Sequence, residues 1–131
     1  MGSLKNIRED NVALNEGKWF DWVEGIRLLI ASSDCSGYQL EMERQALTRA
    51  TADLEQDQDA IQVDMRVAAG KFLLLGWENI QDDDANDIPY SEDQAVRWLS
   101  DPDYFPLYRF VRDKATSAKN FRKAEKKVTG K

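Results

Sequence analysis

Gly76 to Phe121 reads GWENIQDDDANDIPYSEDQAVRWLSDPDYFPLYRFVRDKATSAKNF, and local rules within this run set where helices begin and end. Ser91-Glu92-Asp93-Gln94 has the form of a capping box: the Ser91 hydroxyl is placed to accept from the Gln94 amide, and the Gln94 side chain reaches back. Glu92 and Asp93 then stand at the positive end of that helix dipole, while Ala95, Val96, Trp98 and Leu99 supply its apolar face. Asp101-Pro102 repeats the logic as cap and first-turn proline. Pro106 lacks an N–H and clashes with a preceding turn, so it cannot lie deep in that helix. The expectation is a short turn through Phe105 and a new helix from Pro106. Its buried stripe would be Leu107, Phe110, Val111, Ala115, Ala118 and Phe121.

Upstream, Ile61, Met65, Ala68, Phe72 and Leu75 are spaced by four, three, four and three residues. This is the clearest helical stripe in the chain, and Gly76 is read as its end. An earlier helix, from about Tyr38 to Leu54, is indicated by Leu40, Leu47, Ala50 and Leu54, with the polar stretch 55–59 as its interruption. Lys18–Val23 and Ile26–Ala31 are rich in aromatic and aliphatic residues around Glu24-Gly25, which predicts a β-hairpin. Residues 1–16 are polar and without clear period, and are expected to be frayed or extended. The fold class is therefore α+β and mainly helical: an N-terminal β-hairpin followed by about four helices in one compact domain, 17–121. A flexible segment 1–16 and a mobile basic tail 122–131 flank it, because that tail has too little apolar area to offset about 1–2 kcal/mol of backbone ordering per residue.

Composition narrows the chemistry. At 131 residues and 42% hydrophobic, the chain is long enough for one core and short for two. Its apolar runs, such as Phe72 to Leu75, are far below the roughly 20 residues of a membrane span, so no membrane association is expected. There is no His, and Cys35 stands alone; internal disulfides, zinc sites and His-activated nucleophiles are set aside. A soluble cytoplasmic chain is the resulting expectation. Asp82, Asp84 and Asn86 match the first ligand positions of a calcium loop, but Asp87 replaces its turn glycine and Asp93 its bidentate glutamate. A solvated loop is the better account. No phosphate-cradling glycine loop occurs, and clustered surface carboxylates do not make a general acid. Neither an enzyme nor a cofactor is expected.

Charge and aromatics point instead to binding. Residues 109–131 carry about +7 and residues 1–108 about −13, which suggests an interaction tail or self-association. Tyr104, Phe105 and Tyr108 bracket Pro106, where some ring area should stay exposed and anchor a partner. With Lys119, Arg122, Lys123, Lys126 and Lys127 they form the candidate partner-binding set. Phe121 lies among basic groups and has the composition of a nucleic-acid stacking site. A short basic tail on an acidic body is nevertheless a poor nucleic-acid footprint.

Residue order adds a resemblance. Trp77 and Ile80, Asp82-Asp83-Asp84, Ile88-Pro89-Tyr90-Ser91, Asp101-Pro102-Asp103, Phe110-Val111 and Asn120-Phe121 follow one another. In this the chain resembles the tail assembly chaperones of long-tailed bacteriophages. Gly17-Lys18-Trp19 and Ile26–Ala31 are similar to that family's N-terminal segment, and the chain departs from it at Ala85-Asn86, where the family usually has glycine. The resemblance implies a non-catalytic protein of the host cytoplasm, absent from the mature virion. Its implied partners are the tape-measure protein and tail-tube subunits. A nucleic-acid-linked regulator or DNA mimic, and a structural joining protein of the neck or tail, stay open as alternatives.

Overall fold

The computed structural model describes residue 4 and residues 8–51 and 57–123. The architecture is α+β. Helix α1 (Asn11–Glu16) precedes a hairpin of β1 (Lys18–Asp21) and β2 (Arg27–Ile30). Helices α2 (Ser36–Thr51) and α3 (Gln58–Phe72) lead into β3 (Leu74–Glu78), and α4 (Glu92–Ser100) and α5 (Phe105–Thr116) follow.

The hairpin turns where Glu24-Gly25 predicts it. Val23–Gly25 form one 3-10 turn with Glu24 at φ 55° and Gly25 at φ 77°, left-handed values that glycine adopts without a Cβ clash. Lys18 pairs Ile30 and Asp21 pairs Arg27 in antiparallel register. The sheet has a third strand the sequence reading did not contain. The stripe expected to run helically to Leu75 ends at Phe72, and β3 adds to the free edge of β2 in the order β1-β2-β3. Leu74, Gly76 and Trp77 are buried there, and Leu28 faces Trp77 across the ladder. A short apolar run satisfies both periods, so β2's unpaired backbone groups decide the outcome. Arg27, on the central strand, bridges Asp21 at 3.2 Å and Glu78 at 3.5 Å on its two neighbours.

Helix α2 forms where expected but presents the other face inward. Leu40 and Leu47 are 65% and 64% exposed and Ala50 is exposed, whereas Gln45 is buried; Leu54 lies outside the described residues. The middle of the seam to α3 is polar. Gln45 donates to Glu41 and to the Asp64 carbonyl at 3.0 and 3.3 Å, and Arg49 meets Asp64 at 2.6 Å.

Helices α3 and α4 bring their backbones close together. A Cβ on Gly70 would fall 2.6 Å from the Val96 Cα, so only glycine lets these two backbones approach so closely. The Ser91 hydroxyl caps α4 by accepting from Gln94 N at 3.1 Å. Asp101 caps the 3-10 turn Pro102–Tyr104, and α5 begins at Phe105 with Pro106 in its first turn. It ends at Thr116, so Phe121 reaches the core from a separate 3-10 turn, Ala118–Phe121, in which Ala118 is exposed. Leu28, Ile30, Leu74, Leu99, Val111 and Phe121 form the fully buried centre.

Residues 8–16, expected to be frayed or extended, are packed against this body. Asp10 caps α1, Leu14 is buried, and Ser32 N donates to the Leu14 carbonyl. Asp10 N donates to the Phe121 carbonyl at 2.7 Å and Lys123 N to the Arg8 carbonyl at 2.8 Å. Segments 8–10 and 121–123 thus satisfy each other's backbone groups, and Arg122 and Lys123 are held where a free tail was expected to start. Lys126 and Lys127 lie outside the described residues.

Candidate functional site

Three segments distant in sequence meet at a groove of about 570 Å³. The hairpin turn contributes Trp22, Val23 and Ile26; the loop after β3 contributes Ile80, Gln81, Asp82, Asp83 and Ile88; and the helical end contributes Gln94, Trp98, Tyr104 and Leu107. Its volume falls within the range of about 300–1,000 Å³ typical of ligand clefts.

A ladder of rings runs into the groove from behind, and its outer members, Trp98 and Tyr104, line it. Tyr90 meets Trp77 edge-on at 4.8 Å, Trp77 meets Trp98 at 5.0 Å, and Trp98 meets Tyr104 at 6.1 Å. Each buried polar tip has an acceptor: Trp77 Nε1 donates to the Ile88 carbonyl and the Tyr90 hydroxyl to the Leu74 carbonyl, both at 2.8 Å. Burial raises the Tyr90 pKa, with a smaller push from Glu92, so the hydroxyl keeps its proton and the bond. The ladder runs from Trp77, 7% exposed, to Tyr104, 46% exposed. Val23, 53% exposed, stands at the mouth. Asn79, at φ 67°, donates to the Gly25 carbonyl at 3.0 Å and ties the hairpin turn to β3. The Gln94 side chain lines the groove, and the Ser91 hydroxyl supplies the observed half of the capping box.

The acidic loop forms one lip. Asp82 Oδ1 accepts from Asp84 N at 2.9 Å and Asn86 N at 3.0 Å, and Ile88 N donates to the Ile80 carbonyl. Asp82 is thereby occupied in holding the loop. Among the described residues no group of three or more His, Cys, Asp or Glu is placed to hold a metal ion. Likewise, no helix there is long and apolar enough to cross a membrane.

The expected binding set is divided by this geometry. Tyr104 is in the groove, whereas Phe105 is half-buried and points to a different neighbourhood. Tyr108, expected to be partly exposed, is buried at 4%. Its spacing to Val111 and Ala115 places it on the inner stripe of α5, a signal already present in the sequence. Lys119, Arg122 and Lys123 are exposed near the paired segments 8–10 and 121–123. Trp22, Ile26, Ile80 and Ile88 were not foreseen as site residues.

The family profile for the YdaY prophage protein matches residues 33–131. The chain belongs to the YdaY prophage protein family. For this YdaY-family chain, no curated protein and no solved structure matches. The matched region holds the acidic loop, α4 and α5, whereas Trp22, Val23 and Ile26 lie before it. The groove of this YdaY-family chain is thus completed by a hairpin outside the family match.

Proposed function

We propose that this prophage-family protein is a tail assembly chaperone that holds an apolar segment of the tape-measure protein in the aromatic groove. It acts by binding rather than catalysis, in the host cytoplasm during tail assembly, and is left out of the finished virion. The observation that carries this reading is that the first part of the ordered motif, Trp77 to Tyr90, gathers at the groove, while Val111 and Phe121 lie in the core. Ile80, Asp82 and Ile88 line it, and Trp77 and Tyr90 stand directly behind.

The physical action is cover. Burying apolar client surface gains about 25 cal/mol per Å², and a wall whose rings already touch loses little freedom on binding. Asp82 and Asp83 at the lip favour a client segment flanked by Lys or Arg. Lys119, Arg122, Lys123, Lys126 and Lys127 add a second, salt-sensitive attraction for acidic parts of the client. Tail-tube subunits are a second client of the same chemistry.

The test is co-expression with the tape-measure protein of the same phage. A soluble, co-purifying complex is expected, with binding at least about tenfold weaker for Val23→Asp. A tape-measure protein that stays insoluble beside a soluble chain would overturn the reading.

A further inference from the structure

A second gathering of rings and cations lies where α3 meets α5. The Arg66 guanidinium carbon stands 4.8 Å from the Phe105 ring centre and 5.1 Å from that of Tyr108. Arg109 covers Phe105 at 4.8 Å, and Arg112 is 5.8 Å from Tyr108. Among the described residues neither Arg66 nor Arg109 takes part in an ion pair, although Arg112 meets Asp113 at 3.4 Å. Arg66 Nε is buried without a hydrogen-bond partner. In a chain of net charge −6, this is a positive spot in which Arg66 and Arg109 are held by rings rather than by carboxylates, and Arg112 is shared with Asp113.

The same chain carries a complementary shape. The loop 82–87 is braced by Asp82 Oδ1 and by an Asp82 N to Asn86 carbonyl bond of 2.9 Å, and Gln81 and Asp87 close its base. Asp83 and Asp84 are exposed on it and take part in no ion pair among the described residues. Loop and cluster are both built before contact, so little ordering opposes their meeting.

We propose that the chain self-associates, the acidic loop 82–87 of one copy seating on the Arg66–Arg109–Arg112 cluster of another. Guanidinium forks match carboxylates two bonds at a time, and a network on rigid supports outweighs an isolated surface pair. The contact is salt-sensitive. It shares Asp82 and Asp83 with the lip of the groove, but it does not rest on the tail-assembly reading, because both halves of the interface belong to this chain.

Sedimentation of the full chain across a concentration series, at low and high salt, tests this. The expected result is association at low salt that high salt reverses. Asp83→Lys/Asp84→Lys and Arg109→Glu should each weaken it at least about tenfold, with circular dichroism verifying unchanged folds. Mixing the two variants should restore association, because one retains the cluster and the other the loop. A monomer throughout at low salt overturns the proposal. So does association that both variants leave unchanged, which would confine Arg66 to stapling α3 onto α5 and Arg109 to covering Phe105 within α5.

Discussion

Replacing Gly70 by alanine sets two well-separated effects against each other. Gly70 lies inside α3, where alanine is favoured over glycine by about 1 kcal/mol. The added Cβ, however, would stand 2.6 Å from Val96 Cα, 2.8 Å from Val96 N and 3.0 Å from Val96 Cγ2. Carbon atoms pack best at about 3.5–4.0 Å, so α4 must move away by about 1 Å. The two nearest atoms are backbone, which no rotamer change removes. Overpacking of this kind costs about 1–3 kcal/mol or more, and a backbone-limited case belongs at the upper end. The net expectation is a loss of about 2 kcal/mol, or roughly 6–8 °C in Tm for a chain of this size. Urea unfolding should show a lower midpoint at unchanged slope. Gly37→Ala is the matched control: its Cβ would meet the Phe72 ring at 2.7 Å, and a ring can turn aside, so its loss should be smaller. A Gly70→Ala protein as stable as the parent, or more so, would refute the close α3–α4 contact. Because α4 carries Trp98, the same variant should also bind client less tightly.

Three further outcomes follow from single residues. Ala85 sits at φ 63° in the acidic loop, a conformation that costs an L-residue about 1–2 kcal/mol; Ala85→Gly, offset by glycine's greater unfolded freedom, should raise stability by up to about 1 kcal/mol in the same urea assay. Hydrogen bonds from Arg44 and then Gln45 hold the Glu41 carboxyl down at about 2, against an ordinary 4.5. Its contribution is therefore complete above about pH 4.5 and lost as pH falls toward 2, so Glu41→Gln should flatten stability across that acid window in a pH series. Burial pushes the Cys35 thiol pKa up, despite smaller opposing contributions from nearby backbone hydrogen bonds, and the residue is only 4% exposed. A thiol reagent should accordingly label it only on unfolding, as a time course with and without urea would show.

The features that could be read along the chain are those set by near neighbours. The Glu24-Gly25 turn, the Ser91 and Asp101 caps and the restart of a helix around Pro106 each depend on residues within about four positions of one another. The features that could not are set by distant partners. Leu75 satisfies a helical period as well as a strand, and β2 alone decides between them. Leu40 and Leu47 have the spacing of a buried stripe, yet the polar Gln45 and Arg49 face takes the α3 seam. Asp10 and Leu14 did carry a local signal for α1, namely a cap followed by an apolar residue, which the surrounding polarity obscured. Of the candidate site, Tyr104 was legible from its place beside Pro106. The groove itself was not, since Trp22, Ile80 and Trp98 meet only once the sheet and α4 are assembled.

The central claim is that the aromatic groove, and not another apolar surface, receives the client. A photo-crosslinking side chain placed in turn at Val23, Tyr104 and Leu40, in chain co-expressed with the tape-measure protein, tests it most directly. Val23 and Tyr104 flank the groove, while Leu40 lies on the exposed face of α2. The account predicts crosslinks to the tape-measure protein from Val23 and Tyr104 and none from Leu40. Crosslinks from Leu40 alone would contradict it and move the binding surface to α2.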